Sequence, residues 1–161
     1  MPGPLTEGLV KSGAEVKAMV SASTRGRWTR HNGKFQDYAD NSYYLPLRSE
    51  LSALVSQVEM PRGIATPEAF DCDDFALLMK ARVSEQFVKG LYRKSGARRR
   101  ALCFGIAWAK FSNPPANGVD HALNWSLVST REGPELVFVE PQTSKLHPHT
   151  VLLADLKLVL A

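Results

Sequence analysis

The chain has 161 residues, of which 44% are hydrophobic and 22% charged, and 20 Lys and Arg against 16 Asp and Glu give a formal net charge of +4. This composition excludes a disordered segment, a collagen repeat and a disulfide scaffold, and fits one domain that buries roughly two-thirds of its unfolded surface. The longest apolar runs, such as Val151 to Ala154 and Leu158 to Ala161, fall short of the ~18 residues of a membrane helix, so no membrane partner is expected.

The start, Met1-Pro-Gly-Pro, lacks the basic and apolar regions of a signal peptide. A cytoplasmic product, or a domain cut from a larger protein, is the expectation, with Cys72 and Cys103 as free thiols. Residues 1–34 mix Pro, Gly, Ser and Arg with scattered apolar positions and read as a partly irregular N-terminal extension holding at most one short helix; residues 35–161 read as a single domain.

Pro46 can open a helix, and Leu47, Leu51, Leu54, Val55 and Val58 recur at helical spacing up to Met60-Pro61. A second helix is predicted to begin near Asp71-Cys72, with Asp71 as N-cap, Asp74 three residues on, and a buried stripe of Phe75, Leu78, Met79, Val83 and Phe87. Residues 86–119 then carry seven basic and no acidic side chains, including Lys89, Arg93, Lys94 and Arg98-Arg99-Arg100. Beyond them the pattern changes to strands over Ala101–Phe111, Ala122–Thr130, Glu135–Glu140 and Leu156–Leu160, divided by Asn113-Pro-Pro-Ala-Asn-Gly118, Glu132-Gly-Pro134 and Pro141-Gln-Thr-Ser. Helices first and an antiparallel sheet second predict an α+β fold.

The chemistry gathers on three residues. Cys72 at a helix start meets the partial positive charge and free N–H groups that stabilise a thiolate. His121, 49 positions on, opens one strand, and Glu140, a further 19 on, closes the next. Antiparallel strands joined at the Glu132-Gly-Pro turn would put these two side chains together as a base and the group that orients it. Asp71, Asp73 and Asp74 oppose thiol ionisation unless something offsets them. A hard cation on Asp73 and Asp74 would do so, although the spacing is not that of an EF-hand. Cys103, between Leu102 and Phe104, reads as core.

The ordered set Tyr43-Tyr-Leu-Pro46, Phe70-Asp-Cys-Asp-Asp-Phe-Ala76, Phe104-Gly-Ile-Ala-Trp108, Asp120-His-Ala-Leu-Asn124 and Val139-Glu-Pro-Gln-Thr143 resembles the C-terminal domain of mushroom (Marasmius-type) agglutinins and related bacterial and phage proteins, over roughly residues 40 to 145. The resemblance implies a papain-like or transglutaminase-like core, with a nucleophile-bearing helix packed on an antiparallel sheet. By motif it implies Cys72 as nucleophile, His121 as general acid and base, Glu140 as its orienting group, and a Ca²⁺ ion on Asp73 and Asp74. The papain-type glutamine six residues before the cysteine is replaced by Thr66. That leaves the backbone N–H of Cys72, with Gln36, Asn32 or Trp28, as oxyanion donors.

The expected function is therefore a cysteine hydrolase, a peptidase or amidase working on a peptide or protein substrate through a thioester acyl-enzyme. The alternative is a non-catalytic binding protein of the same fold, using the basic stretch 89–100 to hold an acidic partner or, less favoured, nucleic acid.

Overall fold

The structure, a computed structural model, describes residues 8–24, 40–63, 71–90 and 100–160. Its centre is a five-stranded antiparallel sheet built from the alternating C-terminal half: β4 (Phe104–Phe111), β5 (Asp120–Thr130), β6 (Gly133–Glu140), β7 (Lys145–Pro148) and β8 (Leu152–Leu160), in the order β7-β6-β5-β4-β8. The longest strand, β5, lies in the middle and registers Asn124 against Ile106 of β4 and Val139 of β6. A smaller sheet joins β1 (Leu9–Ser12), β2 (Ser42–Leu45) and β3 (Ala101–Leu102), with β1 antiparallel and β3 parallel to β2.

Among the described residues three α-helices cover these sheets: α1 (Gly13–Ser23), α2 (Arg48–Ser56) and α3 (Cys72–Lys89). Helix α1 begins at a capping box of Ser12 and Glu15, and α2 follows Pro46 with Glu50 bonding back to the Leu47 N–H. The buried Tyr44 hydroxyl donates to the same Glu50 carboxylate at 2.9 Å, which ties α2 to β2.

Because side chains alternate along a strand, the large sheet has two apolar faces. One face, with Leu123, Trp125, Leu127 and Phe138, packs on Val16 and Val20 of α1 and on Tyr43 and Leu45. The other, with Phe104, Val128, Val137 and Val139, packs on Leu51, Leu54 and Val55 of α2 and on Met79, Val83 and Phe87 of α3. Residues 9–23, within the stretch read as an extension, thus share the core of the sheet.

The expected fold class is corrected. The molecule is mostly β-sheet, a curled antiparallel half-barrel, and not an α+β core of papain-like or transglutaminase-like type. The reason lies in strands whose local pattern is weak. β1, β2, β7 and the first half of β8 are short or irregular in alternation and exist because distant partners supply their hydrogen bonds. No helix among the described residues is long and apolar enough to cross a membrane.

Candidate functional site

Helix α3 starts where the sequence places it. Asp71 is its N-cap, accepting from the Asp73 N–H at 3.3 Å, and Asp74 Oδ2 accepts from the Asp71 N–H at 3.2 Å. These bonds commit two of the three carboxylates around Cys72 to satisfying backbone donors at the positive helix end, a favourable place for negative charge. The half-buried Cys72 packs with Trp108 against Ala76, Ile106 and Ala122, all three fully buried.

His121 is the second residue of β5, opposite Ala109. Glu140 ends β6 and is almost completely buried. The pleated hairpin brings them together: His121 Nε2 lies 2.8 Å from Glu140 Oε2. A side-chain hydrogen bond also links Cys72 to the His121 ring. Thiol, imidazole and carboxylate thus form one hydrogen-bonded series. Burial of the ring acts to lower the His121 pKa, but the hydrogen bonds to Cys72 and Glu140 and the Glu140 charge outweigh it and raise it to about 9. At neutral pH the imidazolium is ion-paired to Glu140.

Glu140 also anchors the turn that follows it, a role the sequence reading of a simple turn at Pro141-Gln-Thr-Ser did not contain. Its Oε1 accepts the Gln142 N–H at 3.2 Å, and its backbone carbonyl accepts those of Thr143 and Ser144 at 3.3 and 2.8 Å. This turn faces a cleft of about 710 Å³ whose opposite wall is the end of α2 and the segment after it: Ser56, Val58, Glu59, Met60 and Arg62.

The implied calcium ligands can be tested on their donors. Oxygen or sulfur atoms of Asp71, Cys72 and Asp73 lie within 4.8 Å of one another, whereas an Asp74 oxygen is engaged in the cap. The Asp73 carboxyl is held above its usual range, chiefly by its hydrogen bond to Asp71 and then by burial. Calcium takes six to eight oxygens, and two carboxylates beside a soft thiol fall short of that set, so the described residues do not fit the ion at this turn.

Cys103 is completely buried, and burial pushes its thiol up to about 12. Thr66, Gln36, Asn32 and Trp28 lie outside the described residues, as does most of the basic stretch 89–100; of its ends, Lys89 is ion-paired to Glu85 and Arg100 is exposed.

The family model described as agglutinin C-terminal matches residues 43–146. The fold is similar to that of a solved PSL1a–E64 complex, at 24% identity and a TM-score of 0.71, over 95% of this chain and 51% of that one. It is also similar to Polyporus squamosus lectin bound to the human-type influenza-binding epitope Neu5Aca2-6Galb1-4GlcNAc, at 25% identity and a TM-score of 0.60, over 95% of this chain and 50% of that one. This chain spans about half the length of those structures. No curated protein matches it.

These findings support the agglutinin part of the resemblance and correct the rest. The papain-like hydrolase domain, and with it the cysteine peptidase or amidase acting through an acyl-enzyme, gives way to an agglutinin family with a lectin among its structural neighbours. A thiol, an imidazole and a carboxylate in series do not by themselves establish acyl transfer, because a fold and a set of side chains serve more than one function.

Proposed function

The chain belongs to the agglutinin C-terminal family, and on that premise we propose that it is a carbohydrate-binding domain and not an enzyme. The observation that carries this reading is its likeness to a lectin solved with a bound trisaccharide. The cleft beside the Glu140 turn suits such a ligand. Its wall offers the hydroxyls of Ser56, Thr143 and Ser144, the Gln142 amide, the Glu59 carboxylate and the Arg62 guanidinium, with Val58 and Met60 as apolar surface. A sugar presents both hydroxyl donors and acceptors and C–H faces, which this mixture can pair, whereas an apolar ligand would leave the polar groups unpaired.

Calorimetry with Neu5Aca2-6Galb1-4GlcNAc, supported by a glycan array, tests the reading. Binding is expected, weakened about tenfold or more in Arg62→Ala, the loss of one hydrogen bond to a charged group. Failure to bind any glycan on the array overturns it.

One observation favours a second role in the same molecule, the hydrogen-bonded order of Cys72, His121 and Glu140. In this role Cys72 is a nucleophile that captures an electrophilic ligand in a single addition, His121 holds the thiol proton, and Glu140 orients the ring. With the epoxide E64 as probe, the sulfur bonds to a ring carbon, the carbon–oxygen bond breaks, and the freed oxygen takes the proton from His121. Intact-mass spectrometry should show one added E64, absent in Cys72→Ala and slowed in His121→Ala. An unmodified wild-type chain overturns this role.

A further inference from the structure

Asn124 is a polar side chain with no exposed surface, set in the middle strand of the sheet. Its amide nitrogen donates to two carbonyl groups, that of Ala76 in α3 at 2.9 Å and that of Gly105 in β4 at 3.1 Å. Carbonyls only accept, so the nitrogen must be the atom facing them. Among the described residues Oδ1 has no partner, and a buried acceptor left unpaired costs about 1–3 kcal/mol. An apolar residue at this position would avoid that cost. What it could not supply is direction.

Direction matters at this point. Ala76 is one helical turn beyond Cys72, and Asn124 lies three residues along β5 from His121. Between helix and sheet here the apolar contacts come from Ala76, Ile106 and Ala122, with Cys72 and Trp108 beside them. Such contacts are non-directional and leave small groups free to slide. Two hydrogen bonds from one rigid amide, one to the helix and one to the neighbouring strand, fix both the depth and the rotation of the first turns of α3.

We propose that Asn124 is a positioning residue, which clamps α3 to β4 and β5 so that the Cys72 sulfur meets the His121 ring. The proposal rests on the reactive-thiol role described above. The test is the rate of Cys72 alkylation by iodoacetamide as a function of pH, followed by mass spectrometry in the wild type, His121→Ala, Asn124→Leu and Asn124→Ser. Leu has the same branching as Asn and makes neither bond, and Ser keeps one donor.

In Asn124→Leu, folded by circular dichroism, the rate at neutral pH is expected to fall about tenfold, toward that of His121→Ala. Asn124→Ser should lie between the two. A folded Asn124→Leu with the wild-type rate and profile overturns the clamp. Variants that do not fold at all make Asn124 a general stabiliser, and overturn it as well. If instead the wild type is as slow as His121→Ala, the reactive-thiol role itself has failed, which is a separate outcome.

Discussion

His121 and Glu140 come from different strands, 19 positions apart, and their Nε2 and Oε2 atoms stand 2.8 Å apart with both side chains largely buried. Together with the hydrogen bond to Cys72, this bond holds the histidine in its charged form. Its folded pKa of about 9 exceeds the ordinary 6.5, so the associated stability is fully present below pH 6.5 and is lost as pH rises through about 9.

Urea unfolding at about pH 6 and about pH 10 checks this, with His121→Gln as the reference that lacks the titration. The advantage of wild type over the variant should shrink at the higher pH, by at most about 3 kcal/mol. An advantage that is the same at both values would contradict the pair.

Glu140→Gln separates the carboxylate from the rest of the environment. Removing its charge and its charge-assisted bond leaves burial, which acts to lower the His121 pKa, opposed by Cys72 alone. The midpoint of the His121 ring resonances in an NMR titration is expected to drop from about 9 toward 6.5. A midpoint that stays in place would mean that Glu140 is not the partner that counts.

The two thiols should behave as different species. Cys103 is buried with its thiol pushed up to about 12, and a thiol in that state is almost wholly protonated and shielded at neutral pH. Peptide mapping after iodoacetamide treatment of the native chain should find Cys72 modified and Cys103 unmodified, both reacting once urea is added. Equal modification in the native state would contradict the burial.

Asp71→Ala removes the N-cap of α3 and its bond to the Asp73 N–H. A loss of about 1 kcal/mol in urea unfolding is expected, within the usual range for a cap. The loss should not be recovered by added Ca²⁺, because two carboxylates and a thiol do not complete a calcium site at this turn.

Met79→Ala tests the helix–sheet core. Met79 is fully buried between α3 and the face that carries Phe104 and Val139. Truncation should cost about 2–5 kcal/mol, read from the urea midpoint. A cost under about 1 kcal/mol would show that the cavity refills, and that this layer is looser than its burial indicates.

Much of the architecture was legible because its signals are local. The stripe of Leu51, Leu54 and Val55 gives α2, the Asp71–Asp74 box gives the start of α3, and alternation from Ala101 to Glu140 gives the central strands. The strand β7 and the pairing of β1 with β2 were not legible. Four residues such as Lys145–Pro148 have no pattern of their own and become a strand only through the open edge of β6. The balance of strand over helix, and with it the fold class, depends on those edges.

The site divides in the same way. Sequence by itself determined which residue types are present and where each sits on its own element: a cysteine opening a helix, a histidine opening a strand, a glutamate closing the next. Tertiary structure decided what surrounds them. It put Glu140 on His121 and on the Gln142 N–H at once, it turned Asp74 into a cap instead of a spare ligand, and it laid the Asn124 amide across α3 and β4. Local pattern follows from the periodicity of one element, whereas hydrogen-bond partners and burial depend on which elements meet, and that is settled only when the whole core closes.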